Sequence, residues 1–230
     1  YNLLEHSKFI NNLKELKNIY LYFNFKETIF LDDILNKMGV VLNQYFHADG
    51  SLVLFNGSNN NYTNLIYDGL NKNENFKSYN FIDMKNGILF YKDKRKRIYF
   101  DIVQPNKKSI SKSLSAGTLS FELSAYNEKL ITNCGASESL GRNPEFLRYS
   151  AAHSTIILQN TNISEIKENN VHIKYPQKVS LSYEDLTDKF IIEGAHNGYQ
   201  KKFDKIIKRK IIIHKFADEI KGEDSIINSK

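Results

Sequence analysis

Ala116-Gly117-Thr118-Leu119-Ser120-Phe121-Glu122-Leu123-Ser124, then Leu130-Ile131-Thr132-Asn133-Cys134-Gly135-Ala136, then Ala151-Ala152-His153-Ser154-Thr155-Ile156-Ile157-Leu158: these three runs decide the fold. The first two read as strands over 117–125 and 129–134, joined by the polar turn Tyr126-Asn127-Glu128. The third reads as a strand over 154–159 entered through His153. Working outward, strand-like segments recur at 79–83, 87–92, 97–103, 170–174, 178–185, 189–195 and 205–215. Turn signals such as Asn86-Gly87 and Thr187-Asp188 separate them. Lys221–Ile226 reads as one more turn feeding one more strand. Many short strands with short turns, and no βαβ alternation, predict a mainly β fold, an antiparallel β-sandwich.

The first 46 residues keep a different period. Leu3, Phe9, Leu13, Leu16 and Tyr20 recur at helical spacing, and Asn24-Phe25 interrupts them. A second helix runs from Thr28, a candidate N-cap, to Phe46, with the stripe Leu31, Ile34, Leu35, Met38, Leu42 and Tyr45. Two helices so closely joined form an N-terminal α-helical hairpin. Its apolar stripes need cover, either from the rest of the chain or from helices before it. Ser51–Phe55 reads as a short strand ended by Asn56-Gly57, 58–64 as a loop and 64–70 as one helical turn. The division is therefore a helical segment over 1–46 and a sandwich over 47–230.

Of 230 residues, 41% are hydrophobic and 13% aromatic, so a packed core is available and disorder is excluded as the default. No apolar run approaches the roughly 20 residues that cross a bilayer. The net charge of +6 draws polyanions, whether nucleic acid, anionic lipid or acidic polysaccharide. An Asn-, Lys- and Ile-rich composition yields such a charge without any partner. Cys134, the single cysteine, excludes an internal disulfide and a cysteine-built zinc site. Its apolar surroundings predict a buried, inert thiol.

The basic run Lys92, Lys94, Arg95, Lys96 and Arg97 reads as a solvated hairpin tip or as a polyanion contact. The Lys- and Ser-rich loop 106–115 reads as a linker or as a flexible mouth for an anionic ligand. Six histidines (His6, His47, His153, His172, His196, His214) include no close pair with carboxylates at metal-ligand spacing. His153 stands at a strand entry. His196 opens the turn His196-Asn197-Gly198-Tyr199. No phosphate loop, nucleophile elbow, cysteine dyad or nucleic-acid-binding signature is present.

Taken in order, His47-Ala48-Asp49-Gly50-Ser51, Ala116–Ser124, Asn133-Cys134-Gly135, Ala152-His153-Ser154-Thr155, His196-Asn197-Gly198-Tyr199 and the basic strand ending Gly222-Glu223-Asp224 resemble the heparinase II/III-like polysaccharide lyases. The resemblance runs from about 47 to the end, and residues 2–46 resemble the last helix pair of the α/α toroid that precedes the sandwich. It implies β-elimination on uronic-acid polysaccharides, with the cleft between toroid and sandwich and much of the chemistry on toroid helices. It also implies an acidic polysaccharide and an upstream toroid domain as partners, and the periplasm or cell envelope as location. Family members hold zinc with a His and an Asp in the strand matching 115–117 and with a later His. Here those positions are Ser115, Gly117 and His153, and a second family-like histidine is Ile207. One histidine cannot hold zinc, so no metal and no cofactor are expected. His153, His196 and Tyr199 are the polar positions expected to line the cleft, the histidines bonding carboxylate or hydroxyl groups and the phenol stacking on or hydrogen-bonding the sugar. The alternative reading is a non-catalytic acidic-polysaccharide-binding or envelope structural domain. Nucleic-acid binding rests on net charge alone and is not expected.

Overall fold

The computed structural model describes residues 3–25, 28–59, 63–64, 66, 82–83, 87–105, 114–136, 145–167 and 172–229. The expected helical turn at 64–70, the strand start at 79–81, the loop 106–113 and residues 170–171 lie wholly or largely outside them. Two helices, α1 (Leu3–Tyr22) and α2 (Ile29–Asn43), open the chain. They turn at Asn24, whose φ of 57° breaks α1. Thr28 precedes α2, but its side chain makes no capping bond and its backbone is already helical.

Every strand pairing among the described residues is antiparallel. One five-stranded sheet has the order β1 (Ile82–Asp83), β2 (Ile88–Lys92), β3 (Lys96–Asp101), β4 (Phe121–Ala125), β5 (Glu128–Ile131). A four-stranded sheet runs β11 (Ile220–Asn228), β10 (Lys205–His214), β9 (Lys189–His196), β8 (Val179–Asp185), and β6 (Glu165–Ile166) pairs β7 (His172–Lys174). A one-turn helix α3 (Gln200–Phe203) links β9 to β10.

The five-stranded sheet is the middle layer. Its residues alternate between two cores, as a pleated strand requires. Ile88, Phe90 and Tyr99 pack with Leu3, Ile10 and Leu42 of the helices and with Phe46, Leu52 and Phe55. Leu89, Tyr91, Ile98 and Phe100 pack against Phe190, Ile192, Ile211 and Ile213 of the second sheet. Burial on both faces explains the unbroken apolar runs 88–91 in β2 and 98–100 in β3, where one-sided burial would give alternation. The second sheet has one buried face, so β10 alternates buried and exposed. Each fully buried Leu, Ile or Phe is worth roughly 1.5–3 kcal/mol.

Several expected strands differ, most of them for a visible reason. At 117–120 the chain turns instead, with Ser120 N–H on Gly117 C=O (2.8 Å) and Leu119 at φ 63°. β5 stops at Ile131, and two residues on the Asn133 N–H turns to the Glu122 carboxylate (2.9 Å). Residues 154–159 pair through side chains. The Ser154 hydroxyl bonds both backbone groups of Phe121, and Thr155 Oγ1 donates to Thr118 C=O (2.8 Å). The chain then reverses at Gln159-Asn160, both at positive φ, between the bridged residues Leu158 and Thr161. Ser51–Phe55 keeps only the isolated bridge Phe46–Leu52. At the other end, 221–226 is strand throughout, paired from Ile213–Ile220 to Lys205–Asn228.

The basic run is the β2–β3 hairpin, with Lys94 exposed at its tip, but its other cations are held by internal partners. Lys96 is 3% exposed and donates to the carbonyls of His214 (2.7 Å) and Ala217 (2.6 Å). Arg95 reaches Lys215 C=O (3.1 Å) and Asp218 (2.9 Å), and Arg97 reaches Phe46 C=O (2.9 Å). Lys92 bonds Gln44. These cations close one end of the sandwich. The opposite end is built from loops: 102–105, 114–120, 145–163 and the 197–204 connection.

Candidate functional site

His153, His196 and Tyr199 all lie at the loop end, beneath its surface. His196 is the last residue of β9, in register with Val179 and Ile207. It is 1% exposed, and its Nδ1 accepts the Gly198 N–H (3.1 Å), which fixes the neutral Nε2–H tautomer. Burial, then the nearby Arg209 guanidinium, push its pKa down to about 4. Tyr199 packs against it, ring centroids 5.9 Å apart. The Tyr199 hydroxyl sits between the carbonyls of Ile156 (3.0 Å) and Thr161 (2.9 Å), so it ties the 156–161 reversal to α3. Burial raises that phenol to about 12. His153, 8% exposed, lies over Gly117. Burial pushes it to about 4, against a weaker upward pull from the Leu147 backbone. The structure thus brings His196 and Tyr199 into contact and holds His153 on the same 150–163 segment. In this state none of the three presents its polar atoms to solvent.

Arg209 stitches that end together. It points into the space between the sheets, over the Phe121 ring (5.2 Å). Its fork meets Asp224, its register partner on β11, at 2.7 and 2.8 Å, and Nη1 donates to Leu119 C=O (2.7 Å) and Ser154 C=O. A planar five-donor group can serve two carbonyls and a carboxylate at once, which a lysine cannot.

Of the positions at which the family resemblance implies zinc, Gly117 and His153 come together, but without a set of ligands. A Cβ on Gly117 would stand 3.1 Å from His153 Cγ. Ser115 uses its N–H on Asn56 Oδ1 (3.2 Å). Among the described residues no three His, Cys, Asp or Glu side chains converge on a metal-sized point. These residues do not fit a zinc ion.

One polar centre escaped the sequence reading. His47 and Glu122 are buried together, His47 Nε2 to Glu122 Oε2 at 2.8 Å, with His47 Nδ1 at 3.0 Å from Ser124 Oγ. Glu122 Oε1 accepts from Leu54 N–H (3.1 Å), Asn133 N–H (2.9 Å) and Asn133 Nδ2 (3.2 Å). The His47 ring stands edge-on to Tyr99, centroids 5.0 Å apart. Both residues sit in motifs the sequence singles out. Their separation by 75 positions gave no local signal that they meet. Cys134, expected buried, is exposed just past β5.

No helix among the described residues is long and apolar enough to cross a membrane. No curated protein matches this chain significantly. Among solved structures, a heparan sulfate lyase, HepC from Pedobacter heparinus, superposes with a TM-score of 0.62 at 14% identity, covering 92% of this chain and 36% of that one. The heparinase III BT4657 gene product gives a TM-score of 0.66 at 13% identity, over 97% of this chain and 37% of that one. The likeness shows a shared fold, and this chain spans little more than a third of either structure. The family model for "Heparinase II/III-like, C-terminal" matches residues 74–230, more than half of the sequence. This chain belongs to the heparinase II/III-like C-terminal family.

Proposed function

We propose that this chain is the sandwich part of a polysaccharide lyase that cleaves uronic-acid-containing glycans by β-elimination. Family membership over 74–230 is the observation that carries the reading. In that reaction a base takes the carbon-5 proton of the uronate. Its electron pair forms the double bond to carbon 4, the bond to the leaving oxygen breaks, and an acid protonates that oxygen. Residues 1–46 are the end of an α/α toroid and 47–230 the sandwich. The helices support a toroid as partner: Phe9, Ile19, Leu21, Ile29 and Phe30 are all exposed on them, apolar side chains with no cover among the described residues. His153, His196 and Tyr199 belong to the sugar-facing end as positioning residues. His196 and Tyr199 underlie the 197–202 turn, and His153 packs against Gly117 of the 114–120 turn. The location that fits is the bacterial periplasm or cell envelope.

A second reading, a non-catalytic acidic-polysaccharide-binding or envelope domain, is favoured by one observation, the absence of an imidazole or carboxylate at Ser115 and Gly117. The test is the ultraviolet absorbance of unsaturated uronate. Full-length protein incubated with a panel of acidic glycans is expected to generate it. Binding with no such product across the panel refutes the lyase and leaves the second reading.

A further inference from the structure

A groove of about 620 Å³ opens at the loop end, walled by β6, β7 and the 197–202 turn. This falls in the roughly 300–1,000 Å³ range of small-ligand sites. Three ammonium groups, Lys174, Lys201 and Lys202, face one carboxylate, Glu165. Glu165 is already paired with Lys174 (2.5 Å), so the groove keeps a net positive charge. Lys202 is held by Thr161 Oγ1 (2.9 Å) and lies over the Phe203 ring (5.1 Å). Lys201 is exposed and has no ion pair among the described residues.

The walls are fixed before any ligand arrives. Asn197 Oδ1 accepts the N–H groups of Gln177 and Lys178, both at 2.9 Å, and its amide donates to Gln200 Oε1 (3.0 Å). Asn162 Oδ1 accepts the Ser150 N–H (3.0 Å). The turn lies flat on its floor because residue 198 has no side chain: a Cβ there would come 2.8 Å from Ile163 Cγ2. Beneath it are His196 and Tyr199. Tyr149 and Tyr175 supply aromatic surface. Amides, tyrosines and unneutralised ammonium groups in one concave site suit a hydroxyl-rich ligand that carries anionic groups. A phosphodiester backbone would need no such amide walls.

We infer that this groove binds a short acidic oligosaccharide segment, with Lys201 and Lys202 on its carboxylate or sulfate groups. The inference rests on the lyase reading only for the class of polymer, and it assigns the groove a binding role, not a chemical one.

The test is calorimetric titration of the full-length protein with a heparan-sulfate tetrasaccharide at low and physiological salt. The double variant Lys201→Glu/Lys202→Glu is expected to lose about tenfold or more in affinity, with a shallower salt dependence. The charge-matched control Lys94→Glu/Lys221→Glu, at the opposite end of the sandwich, is expected to bind as the parent does. No binding by the parent overturns the inference. So does equal loss in both variants, equal affinity for a neutral tetrasaccharide, or equally tight, equally variant-sensitive binding of duplex DNA. Lysis without groove-dependent binding would sink this inference and leave the lyase standing. Groove-dependent binding without lysis would do the reverse.

Discussion

Replacing Glu122 by Leu tests whether the buried His47–Glu122 centre fastens the 47–56 segment to the middle sheet. The substitution strands four donors inside the protein: Leu54 N–H, Asn133 N–H, the Asn133 side-chain amide and the His47 ring nitrogen. Each stranded donor costs about 1–3 kcal/mol, and removing one member of a buried polar pair typically costs about 3–5 kcal/mol in all. With some relaxation, a loss of about 4 kcal/mol is expected. At roughly 2–4 °C per kcal/mol for a chain of this size, the melting temperature falls by about 8–16 °C. Glu122→Gln, which keeps one acceptor oxygen, is expected to lose only about 1–2 kcal/mol. The double variant His47→Leu/Glu122→Leu is expected to be less damaged than the two single losses added together, because each removes the other's stranded partner. Thermal and urea unfolding read all of these. A melting temperature within about 3 °C of the parent for Glu122→Leu, or strict additivity in the double variant, would refute the reasoning.

Acid should destabilise this fold in a defined window. His153 and His196 have folded values of about 4, below the ordinary 6.5, so the unfolded chain binds more protons between those values. Their stabilisation is whole above pH 6.5 and is lost as the pH falls toward 4, on the order of 1–3 kcal/mol per ring; His6 and His172, also lowered by burial, act in the same direction. Asp101 opposes them: burial raises it from 3.8 to about 7, so its stabilisation is present below pH 3.8 and is lost as the pH rises through 7. Asp101→Asn is therefore expected to steepen the acid loss, read as urea midpoints from pH 7 down to 4, and midpoints that rise on acidification would contradict the assignment. Gly194→Ala is expected to cost about 1–3 kcal/mol, since its Cβ would stand 2.6 Å from Leu119 Cδ2 and 3.1 Å from Phe100 Cε1 between the sheets; an unchanged unfolding midpoint would mean that the sheets are not in close contact there.

The strands that read correctly from sequence were those whose ladder bonds are backbone to backbone. β8, β9 and β10 match their expected limits to within a residue or two, because alternation and turn residues act locally. The segment at 154–159 misled because Ser and Thr hydroxyls replaced the ladder, a substitution visible only once Phe121 and Thr118 stand beside them. The basic run was only partly legible for a related reason. Whether a lysine is solvated depends on which carbonyls reach it, and those of His214 and Ala217 come from about 120 positions away.

Alternation, turn chemistry and helical period, all properties of neighbouring residues, were enough to determine a helical hairpin followed by an antiparallel sandwich. The ordered motifs were enough to suggest the family. Only the tertiary structure decided that the first sheet is buried on both faces, that His47 meets Glu122, and that His153, His196 and Tyr199 form an underlay rather than a surface. Burial and pairing across long separations depend on how two sheets and a helix pair stack, and the free energy of that stacking is written in no single stretch of chain.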